Sequence, residues 1–487
     1  MPRGRLHRRD AAGRLVVTVT EAAPPAASRP GRAKKPRWFG ALMLRLHFFA
    51  GILVGPFILV AALSGALYAL TPTLEQVVYA HELHAPASST SLTLAEQIGI
   101  AEEHVGKEAT LSAVRPAPEP GDTSRILFAQ DGLAASESRA VFIDPGTGEI
   151  RGDLTVYGTS GALPLRTWID NLHRNLQLGE IGRYYSELAA SWLGIVVVAG
   201  LALWIIRIRK ARAKRDLLRP NPTHTGYRRV FGWHASLGVW VVLGALFLSA
   251  TGITWSQFAG ANVSSLRASL DWGTPQLTTA LDGADAPVDE HAGHHGAVSA
   301  PTGAANPATF DAVLAIAQRT NVDTGLVEIS PPPAPGSAWV VRGIKTSYPT
   351  EVDSVAIDGT TMQVVDRIDF AEFSLPAKLA RWGIDLHMGV MFGLANQIVL
   401  FVIALAIAGM VVLGYVMWWK RRPPRSARRF GGSPPPRGVL RDAPWWGLAA
   451  VAAVGAVIGL LLPLVGWTLV GFVLIDVVAG LLSRRSA

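Results

Sequence analysis

The chain has 487 residues, 49% of them hydrophobic and only 17% charged, with a formal net charge of +9 and no cysteine. That composition excludes an ordinary soluble domain. The missing cysteine excludes disulfides, Fe–S clusters, zinc–thiolate centres and covalent haem attachment, so any redox cofactor must be held by His, Met or Tyr.

In chain order, residues 1–37 form a basic, Pro/Ala-rich tail, expected to be disordered and cytoplasmic. The run 38–70 is too long for the apolar core of a signal peptide and is read as a first membrane span rather than a cleaved leader. A first extracytoplasmic α/β module (71–160) follows, then an outer histidine segment leading into a second span (161–206). A basic loop (207–229) precedes the third span (230–256), a flexible outer linker (257–304) and a second α/β module (305–374). A second histidine segment with the fourth span (375–419), a basic loop (420–443) and a hairpin of two spans (444–482) complete the chain. The fold class expected is an α-helical polytopic membrane protein. It has six spans: a four-helix core from a two-fold internal repeat plus a C-terminal hairpin. Two small extracytoplasmic α/β modules are attached.

Charge is sorted along the chain. Residues 1–38 hold ten Lys/Arg against two acids, 207–229 nine against one, and 420–443 eight against one, while Arg484 and Arg485 end it. Segments 71–186 and 257–393 hold thirty Asp/Glu against fifteen Lys/Arg. The positive-inside rule then places both termini and both basic loops in the cytoplasm and the two long segments outside the cytoplasmic membrane. Every basic run abuts an apolar span, so nucleic acid is not expected as a partner.

The chain is built twice. His47 is followed by Gly51 four residues on and by Ser64 and Gly65 at seventeen and eighteen; His234 is followed at the same offsets by Gly238, Thr251 and Gly252. At twenty-one residues the pair is Tyr68 and Trp255. In "RTWIDNLHRNLQLG", Trp168 lies five before His173 and Gly179 six after; in "RWGIDLHMGVMFG", Trp382 and Gly393 stand in the same places around His387. Asp144 and Asp358 each lie twenty-nine residues upstream of these histidines. "SLTLAEQIGIAEEHV" and "PATFDAVLAIAQRT" predict helices opened by Ser/Thr caps, and "SRILFAQ", "RAVFIDPGTGEI", "SAWVVRGI" and "DSVAIDGTTMQVVD" predict strands.

A histidine in hydrocarbon is costly, and an inter-helix hydrogen bond would explain one of them. Four, two from each repeat and at two depths, ask for more. His47 and His234 sit about 8–12 Å inside the cytoplasmic boundary at 1.5 Å per residue. His173 and His387 lie 33 or 34 residues from the basic end, about 50 Å if the helix is continuous, and so are expected at the outer interface. Two facing imidazoles are the ligand set of a six-coordinate b-type haem, so two haems are expected: His47 with His234, and His173 with His387. Gly51, Gly55, Gly65, Gly238, Gly244 and Gly252 leave room for a macrocycle or for close helix packing. Arg45 at the inner site and Arg166, Arg174 and Arg381 at the outer are candidate propionate contacts. Zinc or copper is the competing metal, although two histidines per level without thiolate or carboxylate make a poor zinc set. His291, His294 and His295 in "HAGHH" are a weak metal candidate in the linker. His7, His81, His84, His104 and His224 are expected at the surface.

Taken together, "LHFFAG…SGALYAL", "GWHASLG…ATGITWS", "IDPGTGEI" and "DLHMGVMFGLANQ" resemble the PepSY-associated transmembrane-helix proteins over about residues 38–420. That family includes iron-regulated membrane proteins and ferric-siderophore reductases of the inner membrane. The resemblance implies two periplasmic PepSY modules, two b-type haems on His47, His173, His234 and His387, and one-electron reduction of a ferric siderophore outside the membrane. The C-terminal hairpin and the long basic tail depart from the pattern. No GxGxxG follows a strand, so no NAD or flavin domain is expected and electrons must come from a cytoplasmic reductase or a membrane quinol. The alternatives are a PepSY-type regulator that restrains an extracytoplasmic peptidase, which needs no histidines, and a transporter subunit, for which Asp476 is the lone intramembrane acid.

Overall fold

The computed structural model describes residues 7–9, 15–17, 38–211, 214–281, 306–422 and 432–485. They belong to two units, one up to Arg37 and one from Trp38 onward. In the first, β1 (His7–Arg9) and β2 (Leu15–Val17) pair antiparallel with Arg8 opposite Val16. The rest of the tail, and His291, His294 and His295 of the linker, lie outside the described residues.

The second unit begins with α1 (Trp38–Leu53) and α2 (Gly55–Ala69), the run expected as one span, which instead bends by 63° at Val54. Pro56 in the first turn of α2 is the cause: it has no N–H to bond the Ile52 carbonyl four residues back. The Tyr415 hydroxyl donates to that carbonyl instead, at 2.6 Å. Next come α3 (Thr71–Val78), α4 (Ala80–Leu83) and α5 (Leu94–Val105), the last opened by a Thr93–Glu96 capping box. Strands β3 (Ala109–Arg115), β4 (Ser124–Gln130), β5 (Glu137–Ile143) and β6 (Ile150–Tyr157) lead to α6 (Pro164–Asn175) and α7 (Gly179–Ile208).

The second half repeats the first. It comprises α8 (Gly226–Thr254), α9 (Phe258–Ser269), α10 (Ala308–Thr320), β7 (Val327–Ser330), β8 (Trp339–Gly343), β9 (Ser354–Ile357), β10 (Val364–Ile368), α11 (Leu375–His387) and α12 (Gly393–Lys420). One offset, 187 residues, carries His47 to His234 and Ser64 to Thr251; a second, 214 residues, carries Leu94 to Ala308 and Gly179 to Gly393. The helix α9 lies in what was expected to be linker, because the buried Glu187 carboxylate accepts from Phe258 N and Ala259 N and caps it. The expected Ser/Thr cap of α10 is replaced by Asn306, whose side-chain oxygen accepts from Ala308 N.

The strands form one antiparallel sheet in the order β10-β9-β8-β7-β3-β4-β5-β6. Its halves meet where Val114 of β3 opposes Ile329 of β7. The two outer modules therefore share one sheet and one core, with Ile126 and Phe128 from the first packed with Phe310, Ile329 and Ile357 from the second. Across the seam the buried Arg115 and Glu328 pair at 2.7 Å. The hairpins β5–β6 and β9–β10 turn alike: Asp144 accepts from Gly146 N and Thr147 Oγ1, and Asp358 from Thr360 N and Thr361 Oγ1.

Among the described residues, α7, α8, α12 and Pro463–Leu482 are each long and apolar enough to cross a bilayer, and the bent α1–α2 pair makes a fifth if it is one span. The expected fifth span, α13 (Trp445–Leu461), has 17 residues, at the short end of the spanning range. With α14 (Pro463–Arg485) it forms the C-terminal hairpin. Trp192 Nε1 donates to Thr468 and Asn262 donates to the Leu460 and Leu461 carbonyls, which docks that hairpin on α7 and α9.

Candidate functional site

His47 of α1 and His234 of α8 face one another with ring centroids 6.1 Å apart and planes at 75°. His47 Nδ1 lies 2.9 Å from the Val196 carbonyl of α7, and His234 Nδ1 lies 3.1 Å from the Met410 carbonyl of α12. A carbonyl can only accept, so each Nδ1 carries the proton and each Nε2 keeps its lone pair. Val196 and Met410 are related by the 214-residue offset, as are Gly200 and Gly414 one turn on. A Cβ at Gly200 would lie 2.9 Å from His47 Cε1, and one at Gly414 would lie 4.0 Å from His234 Cε1. The missing side chain at Gly200 makes room for the His47 ring against α7, whereas a Cβ at Gly414 would only touch the His234 ring.

The outer pair obeys the same logic with hydroxyls. Ser64 Oγ is 3.1 Å from His173 Nδ1, and Thr251 Oγ1 is 2.5 Å from His387 Nδ1. Each hydroxyl already gives its hydrogen to its own helix, Ser64 to the Val60 carbonyl and Thr251 to the Phe247 carbonyl, both at 2.8 Å. The oxygens are left as acceptors, so Nδ1 again donates and Nε2 is again free to bind a metal. Tyr68 stacks on His173 at 6.4 Å and 17°, while Trp255 leans on His387 at 6.1 Å and 50°. Along the unbroken α8, seventeen residues separate His234 from Thr251, so the two levels are about 25 Å apart.

The depth of the outer pair corrects the expectation of a continuous helix. Leu176 and Gln177 are left-handed, with φ of 55° and 60°, and separate α6 from α7. The segment folds back beside α2, so His173 meets Ser64 five residues before α2 ends, within the outer turns of the bundle. His387 is turned in likewise by the break between α11 and α12, and meets Thr251 three residues before the end of α8.

The inner pair fits a bis-imidazole metal group. Two imidazoles sharing one metal through Nε2, at a metal–nitrogen distance of about 2.0–2.1 Å, would have ring centres about 6 Å apart. The inner pair stands at 6.1 Å. All four rings are part-buried. Among the described residues no group of three or more His, Cys, Asp or Glu is placed to hold a metal ion.

The four arginines have protein partners. Arg45 donates to the Pro435 and Pro436 carbonyls at 3.0 and 2.8 Å and pairs with Asp476 at 3.0 Å, tying α1 to α14. Arg174 donates to the Tyr157 hydroxyl at 2.9 Å. Arg381 pairs with Asp385 at 2.9 Å; burial pushes that carboxyl up to about 6 against the pull of Arg381. Arg166 touches the outer pair through Tyr68, whose hydroxyl its Nε and Nη2 meet at 3.3 Å, and pairs with Glu75 at 3.4 Å. Burial pushes the Glu75 carboxyl up as well, with Arg166 opposing. Unforeseen in sequence were the Val196 and Met410 carbonyls and Gly200 and Gly414. The repeat held the signal for the glycines: Gly200 stands twenty-seven residues after His173, and Gly414 twenty-seven after His387.

No curated protein matches the chain. A family model described as the PepSY-associated TM region matches residues 44–421, more than three quarters of the chain. The match takes in all four histidines and both halves of the sheet, and ends just past α12, before the hairpin. This multi-pass chain belongs to the PepSY-associated TM region family.

Proposed function

We propose that the protein is a dihaem b-type electron-transfer protein of the cytoplasmic membrane that reduces ferric iron, presented as a ferric siderophore, on the extracytoplasmic face. The observation that supports it is the fourfold repetition of one unit: an imidazole whose Nδ1 proton is fixed by an oxygen and whose Nε2 is left free, disposed in two pairs. His47 with His234 and His173 with His387 would be the axial ligands. Haem held there supplies one-electron carriers at two depths of an insulating bilayer.

The chain's own residues do the rest. Val196 and Met410 hold the inner rings in one tautomer and orientation, and Ser64 and Thr251 hold the outer rings. Glycines at 200 and 65 let the rings lie against neighbouring helices; a Cβ at Gly65 would stand 3.0 Å from His173 Cε1. With the basic loops on the cytoplasmic side, as the charge bias along the chain favours, the sheet would stand outside, above the outer pair. The substrate chemistry agrees. Hard oxygen donors grip Fe(III) and hold Fe(II) far less tightly, so one electron gained by the chelate frees the metal. The electron enters from a cytoplasmic reductase or a membrane quinol.

The test is anaerobic mixing of the chemically reduced, detergent-purified protein with a ferric siderophore and a ferrous-specific chromogenic chelator. Reoxidation of the reduced visible spectrum, with about one Fe(II) trapped per electron lost, is expected. A protein that stays reduced with every ferric chelate offered would contradict the substrate assignment and return attention to a regulatory role.

A further inference from the structure

The repeat is broken in one polar place. On the outer side of the first half, Glu75, Gln76, Arg125, Ser160, Gly161 and Arg166 line a cavity of about 170 Å³, room for roughly five or six waters at about 30 Å³ each. Its charged members have neutral counterparts in the second half. Glu75 corresponds to Asn262 at the 187-residue offset; Arg125 and Arg166 correspond to Trp339 and Ala380 at the 214-residue offset. Trp339 lies in the core of the sheet, and Asn262 is occupied by the carbonyls of the C-terminal hairpin. The second half therefore lacks the charged side chains that line the cavity in the first.

The charges in it do not balance. Arg115 beneath the cavity is paired with Glu328, and Arg166 with Glu75, whose other oxygen accepts from Leu163 N at 2.6 Å. Asp122, the remaining carboxylate within range of Arg125, pairs with His84 at 3.0 Å. The Arg125 guanidinium lies over the Phe142 ring, 5.4 Å from its centre, and makes no hydrogen bond or ion pair to a described residue. Gly161 keeps the wall open: it sits at φ 59°, and a Cβ there would fall 2.3 Å from Arg115 Nη1. A half-buried guanidinium without a counter-ion, beside a second guanidinium and a free serine hydroxyl, is the recognition set for a planar or tetrahedral oxyanion.

We propose that this cavity is an oxyanion site that binds a carboxylate or phosphate group through Arg125, with Arg166 and Ser160 alongside. Arg166 bonds Tyr68, and Tyr68 stacks on His173, so the bound group would sit two residues from the outer histidine pair. The ligand is then either a carboxylate arm of an incoming chelate or a free or lipid phosphate. The site needs no electron and no haem to fill, so it stands or falls apart from the redox proposal.

The experiment is isothermal titration calorimetry of the detergent-solubilised full chain with citrate, ferric citrate and inorganic phosphate at constant ionic strength. Saturable binding is expected. Arg125→Gln should weaken it by at least about tenfold, as loss of a charge-assisted contact does. Arg367→Gln, the same charge change at an exposed strand position on the other half, should leave it unchanged. Glu75→Gln, which removes the competing negative charge, should tighten it, an effect of opposite sign that misfolding cannot produce. Preference for citrate and ferric citrate assigns the site to the chelate, and preference for phosphate to the free ion or a lipid headgroup. Absence of saturable binding, or equal losses in Arg125→Gln and Arg367→Gln, would overturn the proposal.

Discussion

At the scale of residues, the unit that recurs is an imidazole with one nitrogen fixed and one free. Ser64 and Thr251 are its most dispensable parts structurally and its most informative chemically, because each accepts from Nδ1 while its own hydrogen is held by a helix carbonyl. Ser64→Ala or Thr251→Val is expected to lower haem affinity at the outer level by about 10–100-fold, the usual cost of losing such a partner, and to leave the inner level intact. Haem titration monitored by the reduced α bands checks this, with Thr251→Ser restoring the bond. A second residue-scale expectation concerns acid. Arg139 hydrogen bonds hold the Asp153 carboxyl below the usual carboxylate range despite partial burial, helped by His104 at 3.0 Å. A depressed folded-state pKa gives stability above the unfolded value, near pH 4, that is lost as pH falls through the folded one. Asp153→Asn should therefore cost stability at neutral pH, and the gap from wild type should close below about pH 4 in thermal unfolding measured across pH. The effect is small, since the pair is only part-buried and screened by solvent.

At the scale of elements, the bend between α1 and α2 shows both what the sequence discloses and what it conceals. Pro56 was visible in the run expected to be straight, and its repeat counterpart, Leu243, lies in the unbroken α8. What the sequence does not disclose is the remedy, because Tyr415 stands 363 residues from Ile52. Tyr415→Phe is expected to cost about 1–2 kcal/mol by leaving that carbonyl unpaired. In a Pro56→Leu background, where the helix can bond it, the cost should fall toward zero. A double-mutant cycle in detergent unfolding measures the difference. The same distinction runs through the other elements. The membrane helices, α5, α10, β4, β5, β8 and β9 were legible from apolar length, caps and alternation. Strands β3 and β7 were not, because their pairing at Val114–Ile329 is made between halves. Neither was α9, whose start depends on Glu187 from another helix. At the site, the histidine pairs, Ser64, Thr251, Tyr68 and Trp255 were legible through the repeat, whereas a backbone carbonyl as partner leaves no mark on the residue that provides it.

At the scale of the whole molecule, two copies of one design are joined above by a continuous sheet and below by facing imidazoles. The seam of the sheet rests on Arg115 and Glu328: burial alone would push the Glu328 carboxyl up, but Arg115 and Arg342 outweigh it and hold it down. Glu328→Gln should cost about 3–5 kcal/mol, as breaking one side of a buried pair does, and an apolar replacement of both residues should cost less; thermal unfolding of the purified chain reads both. The hairpin α13–α14 is held by Asp476 to Arg45 of α1, by Thr468 to Trp192 of α7 and by Asn262 of α9 to its turn, so it braces helices of both halves. The central claim, that the duplication exists to place two bis-imidazole pairs at two depths, is tested most directly by haem stoichiometry per chain in the wild type and in His47→Ala, His173→Ala, His234→Ala and His387→Ala, each expressed with ample haem. Two haems in the wild type and one in every variant, with His47→Ala matching His234→Ala spectrally and His173→Ala matching His387→Ala, is the result expected. A colourless wild type, or any variant that keeps both haems with an unchanged spectrum, would contradict it.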